Sequence, residues 1–285
     1  MIRTYLELLK LKQTALLVWT ALAAYLAAAR DGLKIIILLF LIGAIFLAVS
    51  GTTVISMYFD SEIDAVMDRT KDRPIPSARV TPRNALMFGI VFLGLGLFLA
   101  VFLNWLVVTI IVTGAILNVI VYTIFLKRRT PSSILFGGIA GGMPTLAGWT
   151  AYTNKIELSG ILLALVIMAW IPTHVLTLAM FNVQDYEKAN IPMLPVVVGQ
   201  KRTQEVILFS NIVLTVLAFS FFVLNIFGRT YIILSLVPTL LFLFGSIYML
   251  IHPSQKLYWS LFKLSGPYLL LLYIAMIIDT ITPIF

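Results

Sequence analysis

Residues 35–76 read IIILLFLIGAIFLAVSGTTVISMYFDSEIDAVMDRTKDRPIP. The first part, 35–58, is a nearly unbroken apolar run, long enough for a helix to cross the hydrocarbon core of a bilayer. The character then changes abruptly: residues 56–76 carry five acids and three bases, and a second apolar run, ALMFGIVFLGLGLFLAVFL, follows at 85–103. The whole chain of 285 residues repeats this contrast, being 61% hydrophobic and only 11% charged. Soluble domains are about half apolar and a quarter charged. The apolar runs lack the period-two alternation of barrel strands, so the expected fold is an all-α membrane protein.

Nine spans are expected, at 14–29, 35–58, 84–103, 105–126, 133–152, 158–181, 205–227, 231–251 and 260–281. Numbering the connections alternately puts sixteen of the twenty Lys and Arg residues on the side of the N-terminus. Only Arg30, Lys34, Lys155 and Arg229 fall on the other. The positive-inside bias then predicts a cytoplasmic N-terminus and an external C-terminus. It also accounts for the net charge of +8 without a nucleic-acid partner. The first run, behind Arg3, Lys10 and Lys12, reads as a span and not as a cleavable signal. Cysteine is absent, which excludes disulfides and thiolate metal sites. A single domain over 1–285 is expected, with two long cytoplasmic loops, 59–83 and 182–204, where function is concentrated.

Asp60 and Asp64 lie four apart, on one face of any helix that continues from the second span. Two like charges there repel, and a bare carboxylate near lipid is costly. A divalent cation resolves both difficulties, and Mg2+ commonly bridges one or two carboxylates to phosphates. Arg69 and Arg73 repeat the four-residue spacing, and guanidinium forks match phosphate oxygens. The combination predicts a cation–diphosphate site. Glu62, Asp68, Lys71 and Asp72 read as solvated loop charge. In the second loop Asn182 and Asp185, three apart, form another oxygen-rich helix end, with Glu187, Lys188, Lys201 and Arg202 nearby. Lys127 and Arg128, after the fourth span, are within reach of the same phosphates, while Arg129 serves topology. His174 is an intramembrane histidine, a functional candidate or a helix–helix bond. The glycines of GGIAGGMPTLAGW, 137–149, serve close helix packing or make room for a flat ligand.

Three runs carry a resemblance: DSEIDAVMDRTKDRPIP at 60–76, YTIFLKRRTPSSILFGGIAGGMPTLAGW at 122–149, and DYEKANIPMLPVVVGQKRT at 185–203. Together they resemble the protoheme IX farnesyltransferases of the UbiA-type intramembrane prenyltransferase superfamily. The first run is shared by the whole superfamily, and the other two are more specific to the heme branch. The resemblance implies nine helices around a central cavity open toward the cytoplasmic side and lipid. It implies Mg2+ holding an isoprenyl diphosphate, and a prenyl group passing to a vinyl group of protoheme IX. Carried onto this chain, Asp60, Asp64 and Asp185 become metal-binding and catalytic, with Ser56 and Asn182 as weaker ligands. Arg69, Arg73, Lys127 and Arg128 become diphosphate-binding, and His174 and Tyr186 line the acceptor pocket. Ser56 stands where the superfamily usually has Asn, and Lys10-Leu11-Lys12 where the heme branch has Lys-Pro-Arg. A downstream heme-modifying enzyme is an expected partner. The competing readings are the same reaction on a quinone precursor or lipid headgroup, and an ion-coupled transporter. Against the transporter stand the absence of a clear repeat and acids placed at one membrane face.

Overall fold

A computed structural model describes residues 2–282, and among these there is no β-strand. The chain opens with a short helix, α1 (Ile2–Leu8), then α2 (Leu11–Ala28) and α3 (Ile35–Phe59). A single turn-and-a-half helix, α4 (Ser61–Val66), follows, and α5 (Pro82–Val101) returns across the molecule, N-capped by Thr81. Next comes α6 (Trp105–Ala115), which runs on without a break as an 11-residue π-helix, Ile116–Leu126. Then follow α7 (Ser133–Thr153), α8 (Leu158–Phe181), the short α9 (Val183–Lys188), α10 (Leu194–Val223), α11 (Arg229–Ile251) and α12 (Gln255–Ile281).

Eight of the helical rods are long and apolar enough to cross a membrane, which makes this a multi-pass integral membrane protein. The expected span at 133–152 corresponds to α7, which is 21 residues long but diluted by glycines, Pro144 and hydroxyls. It sits between α2, α6 and α8. The seventh span starts earlier than its expected bound of 205. Helix α10 begins at Leu194, with Gly199 non-helical inside it (φ 78°, ψ 173°). Much of the 182–204 loop is therefore helical, as α9 and the first turns of α10.

Small residues set the packing. Helices α3 and α5 make the most extensive contact in the molecule. At Gly51 an added Cβ would collide with the backbone of Leu93 and Gly89, so the two helices touch main chain to main chain. Gly148 does the same for α7, lying directly on the carbonyl of Ala21 in α2. The glycines of 137–149 are thus divided: Gly142 and Gly148 pack against neighbouring helices, while Gly137 and Gly141 line a cavity.

That cavity encloses about 590 Å³ between α2, α3, α6, the π-helix, α7 and α8. Its polar mouth lies at the end where α2 begins and α3 finishes. Helix α1 helps build this end. Leu8 and Leu9 pack with Val54, Met57, Ile75 and Val80, and Arg79 bonds Glu7 at 2.7 Å. A second cluster, Ile63, Met67, Tyr186, Ile191 and Met193, joins α4 to α9. The two loops singled out in the sequence therefore pack on one another above the mouth.

Candidate active site

Helix α3 passes into α4 through Asp60 (φ −86°, ψ −4°), with the Asp64 N–H donating to the Asp60 carbonyl at 2.8 Å. Asp60 and Asp64 are both buried, one turn apart. Each carboxylate has a base beside it: Lys127 Nζ lies 2.5 Å from Asp60 Oδ2, and Arg73 NH1 lies 2.6 Å from Asp64 Oδ2. Burial pulls the Lys127 ammonium down, but the adjacent Asp60 carboxylate more than offsets this and holds it above the usual lysine range. Asp185, also buried, accepts the backbone N–H groups of Asp68 (3.3 Å) and Arg69 (3.2 Å) and so staples the first loop to the second. Arg69 NH2 reaches the Tyr186 hydroxyl at 3.5 Å. Arg128 donates to the Phe59 carbonyl (2.8 Å) and lies 3.5 Å from Glu62.

Among the described residues no three Asp, Glu or His side chains come close enough to hold one ion. Each of the three expected carboxylates has instead taken its nearest donor, because a buried carboxylate left alone is costly. One oxygen escapes this: Asp60 Oδ1 is buried with no hydrogen-bond partner. A carboxylate with one orphaned oxygen, beside a second carboxylate one turn on, fits a hard oxygen-seeking cation such as Mg2+. Ser56 is one turn earlier; its Oγ lies 3.3 Å from Asn118 Nδ2 and 3.2 Å from Thr123 Oγ1. Asn182 is turned to its own helix, donating to the Leu178 carbonyl at 2.9 Å.

The profile of the UbiA prenyltransferase family matches residues 17–273. This chain belongs to that family. It is 40% identical to a protoheme IX farnesyltransferase of Korarchaeum cryptofilum, over 96% of this chain and 92% of that one. It is 38% identical to one of Caldivirga maquilingensis, over 99% and 100%. In structure it superposes on a digeranylgeranylglyceryl phosphate synthase with a TM-score of 0.81, at 24% identity over 98% of both chains. A UbiA homolog from Archaeoglobus fulgidus bound to DMAPP and Mg2+ superposes with a TM-score of 0.68, at 16% identity over 96% and 99%. These two likenesses establish the UbiA fold.

Below the mouth, the cavity of this prenyltransferase is walled mainly by apolar side chains, among them Ile45, Val49, Ile111 and Met143. His174 is in its wall, stacked on Trp170 (centroids 4.6 Å apart) and near Phe262 (4.7 Å). Its Nδ1 lies 2.7 Å from Ser265 Oγ. The Ser265 hydroxyl also lies 2.6 Å from the Phe262 carbonyl. Lys201 and Arg202 are exposed on α10 and do not line the cavity.

Three features of the mouth escaped sequence reading. Lys10, in the left-handed region (φ 44°, ψ 54°), lines the cavity alongside Arg73. Asp68 is more than loop charge: it bridges Lys71 (2.9 Å) and Lys188 (2.7 Å), and these two ammoniums, Lys188 first, draw its carboxyl down to about 2. Asn118 and Thr123 meet Ser56 only because the π-helix brings them there. Nothing in the residue pattern signals a five-residue repeat of this kind.

Proposed function

We propose that this protein transfers a farnesyl-type isoprenyl group from its diphosphate to a vinyl group of protoheme IX, giving heme O and pyrophosphate. The observation that carries the reading is the paired carboxylates and bases at the mouth of an apolar cavity, in a chain up to 40% identical to protoheme IX farnesyltransferases. In this reading Asp60 and Asp64, with Asp185 and the weaker oxygens of Ser56 and Asn182, hold Mg2+. Mg2+ held there would supply charge neutralisation for the departing pyrophosphate. Arg69, Arg73, Lys127 and Arg128 grip the diphosphate oxygens, where negative charge grows as the allylic C–O bond breaks. The ion pairs Lys127–Asp60 and Arg73–Asp64 keep both partners satisfied until substrate arrives.

The isoprenyl chain lies in the apolar cavity, which keeps water from the allylic carbon until the vinyl group attacks it. Water then adds at the other vinyl carbon, its proton balancing the pyrophosphate released. His174 and Tyr186 belong to the acceptor side. We further propose that α7 is the ninth span, that the mouth faces the cytoplasm with a lateral opening to lipid, and that the C-terminus is external. A downstream enzyme that modifies heme O would receive the product from the membrane.

The decisive experiment incubates the purified protein with Mg2+, farnesyl diphosphate and either heme B or 4-hydroxybenzoate, and reads products by mass spectrometry. Heme mass increased by a hydroxylated farnesyl group is expected. Alkylation of the phenol alone would overturn the acceptor assignment.

A further inference from the structure

The π-helix at 116–126 has a consequence for the diphosphate site. In i→i+5 geometry, residues five apart become neighbours. Thr123 Oγ1 accordingly donates to the Asn118 carbonyl at 2.8 Å, and both side chains converge on Ser56. The Asn118 amide nitrogen is fixed on Ser56 Oγ at 3.3 Å, and Asn118 lines the cavity. Its amide oxygen makes no hydrogen bond among the described residues. Ser56 stands one turn before Asp60 on the same face of α3, where its Oγ, shorter than an amide, is already engaged. The same π-helix ends at Lys127, whose N–H donates to the Tyr122 carbonyl at 2.8 Å and whose ammonium pairs with Asp60. One irregular element thus brings an amide side chain and an ammonium to a single acidic helix end. Irregular turns of this type commonly sit at functional sites.

We infer that Asn118 supplies the amide oxygen of the cation–diphosphate site, acting as a pair with Ser56 across two helices. The inference rests on the cation–diphosphate reading above. It makes the second helix, and not only the acidic motif, part of the oxygen shell around the cation.

The test is calorimetric binding of inorganic pyrophosphate to the full-length protein in lipid nanodiscs, with and without Mg2+, alongside thermal unfolding. Asn118→Leu is expected to weaken Mg2+-dependent binding by roughly 10- to 100-fold, the range seen when a supporting polar group of a metal site is removed. Asn118→Asp, which keeps the oxygen, is expected to bind at least as tightly as the parent. Adding Ser56→Asn to Asn118→Leu places an amide on the same face from α3 and is expected to restore most of the loss. Parental binding by Asn118→Leu overturns the inference, as does equal weakening in the Leu and Asp variants, or no recovery in a double variant that unfolds at the parental temperature. Asp60→Asn separates the two levels. If the parent binds pyrophosphate with no dependence on Mg2+ or Asp60, the cation–diphosphate reading itself falls. If Asp60→Asn weakens binding and Asn118→Leu does not, only the role of Asn118 falls.

Discussion

Lys10 shows how much chemistry one residue can draw from its surroundings. It is half-buried, in a backbone conformation that non-glycine residues rarely adopt, and its ammonium has no ion-pair or hydrogen-bond partner among the described residues. Burial, and then the Arg73 charge, push its ammonium from the usual 10.5 down to about 7. A diphosphate at the mouth favours the charged form and raises that value. Bound Lys10 thus holds a proton that free Lys10 lacks above pH 7, so its contribution to affinity is full below about 7 and fades as pH rises through the higher bound value. Calorimetry in buffers of different ionisation heat should show proton uptake on pyrophosphate binding at pH 8, and Lys10→Met should abolish it. At Asp60 the expectation is sharper. Asp60→Asn removes the carboxylate whose Oδ1 is left unpaired, and turnover should drop about 100-fold or more, on the scale of losing one electrostatic stabiliser, while the unfolding temperature falls because Lys127 loses its buried ion-pair partner. His174→Phe should weaken heme association, read from the Soret band, and leave pyrophosphate binding intact.

At the level of elements, two kinds of contact hold the site in place. Helices α3 and α5 lock main chain to main chain at Gly51, and α2 and α7 at Gly148. Gly148→Leu has no flexible neighbour to displace, since the obstacle is the Ala21 carbonyl. It should cost about 1–3 kcal/mol or more by overpacking and lower the melting temperature in detergent. The π-helix is the second device. Its turns place Lys127 against Asp60, and a register change here moves that base around the helix axis. Deleting Ile120, on the exposed face, should change this register and turn Lys127 away from Asp60 about the helix axis. Prenyl transfer should be lost while the protein still inserts, which activity measured beside membrane fractionation would show. The apolar run 105–126 declared the rod but not its π character, because hydropathy is blind to which carbonyl an N–H selects.

At the scale of the molecule, helix termini alternate between two ends, and the cavity mouth gathers the starts of α2 and α7 with the ends of α3 and α8. The proposed cytoplasmic N-terminus would place that mouth on the cytoplasmic side. The chain has no cysteine, so single cysteines report sidedness cleanly. A thiol introduced at Ser77 should be labelled by an impermeant reagent only from the cytoplasmic side, and one at Asn154 only from outside. The reverse pattern would invert the topology. Asp185 carries a lesson about the two loops. Its place three residues after Asn182 marks a polar helix end, yet its hydrogen bonds go to the backbone of the first loop, more than a hundred residues away.

The sequence by itself determined the all-helical membrane class, the position of the charged loops, and the residue types gathered at the mouth. These follow from local quantities: run length, hydropathy, and the four-residue spacing that puts Asp60 and Asp64 on one face. Only the tertiary structure decided which base meets which acid, that Asp185 staples the loops, and that a π-helix carries Asn118 to Ser56. Those pairings depend on helix register and close backbone contact between segments distant in the chain, which no local pattern encodes.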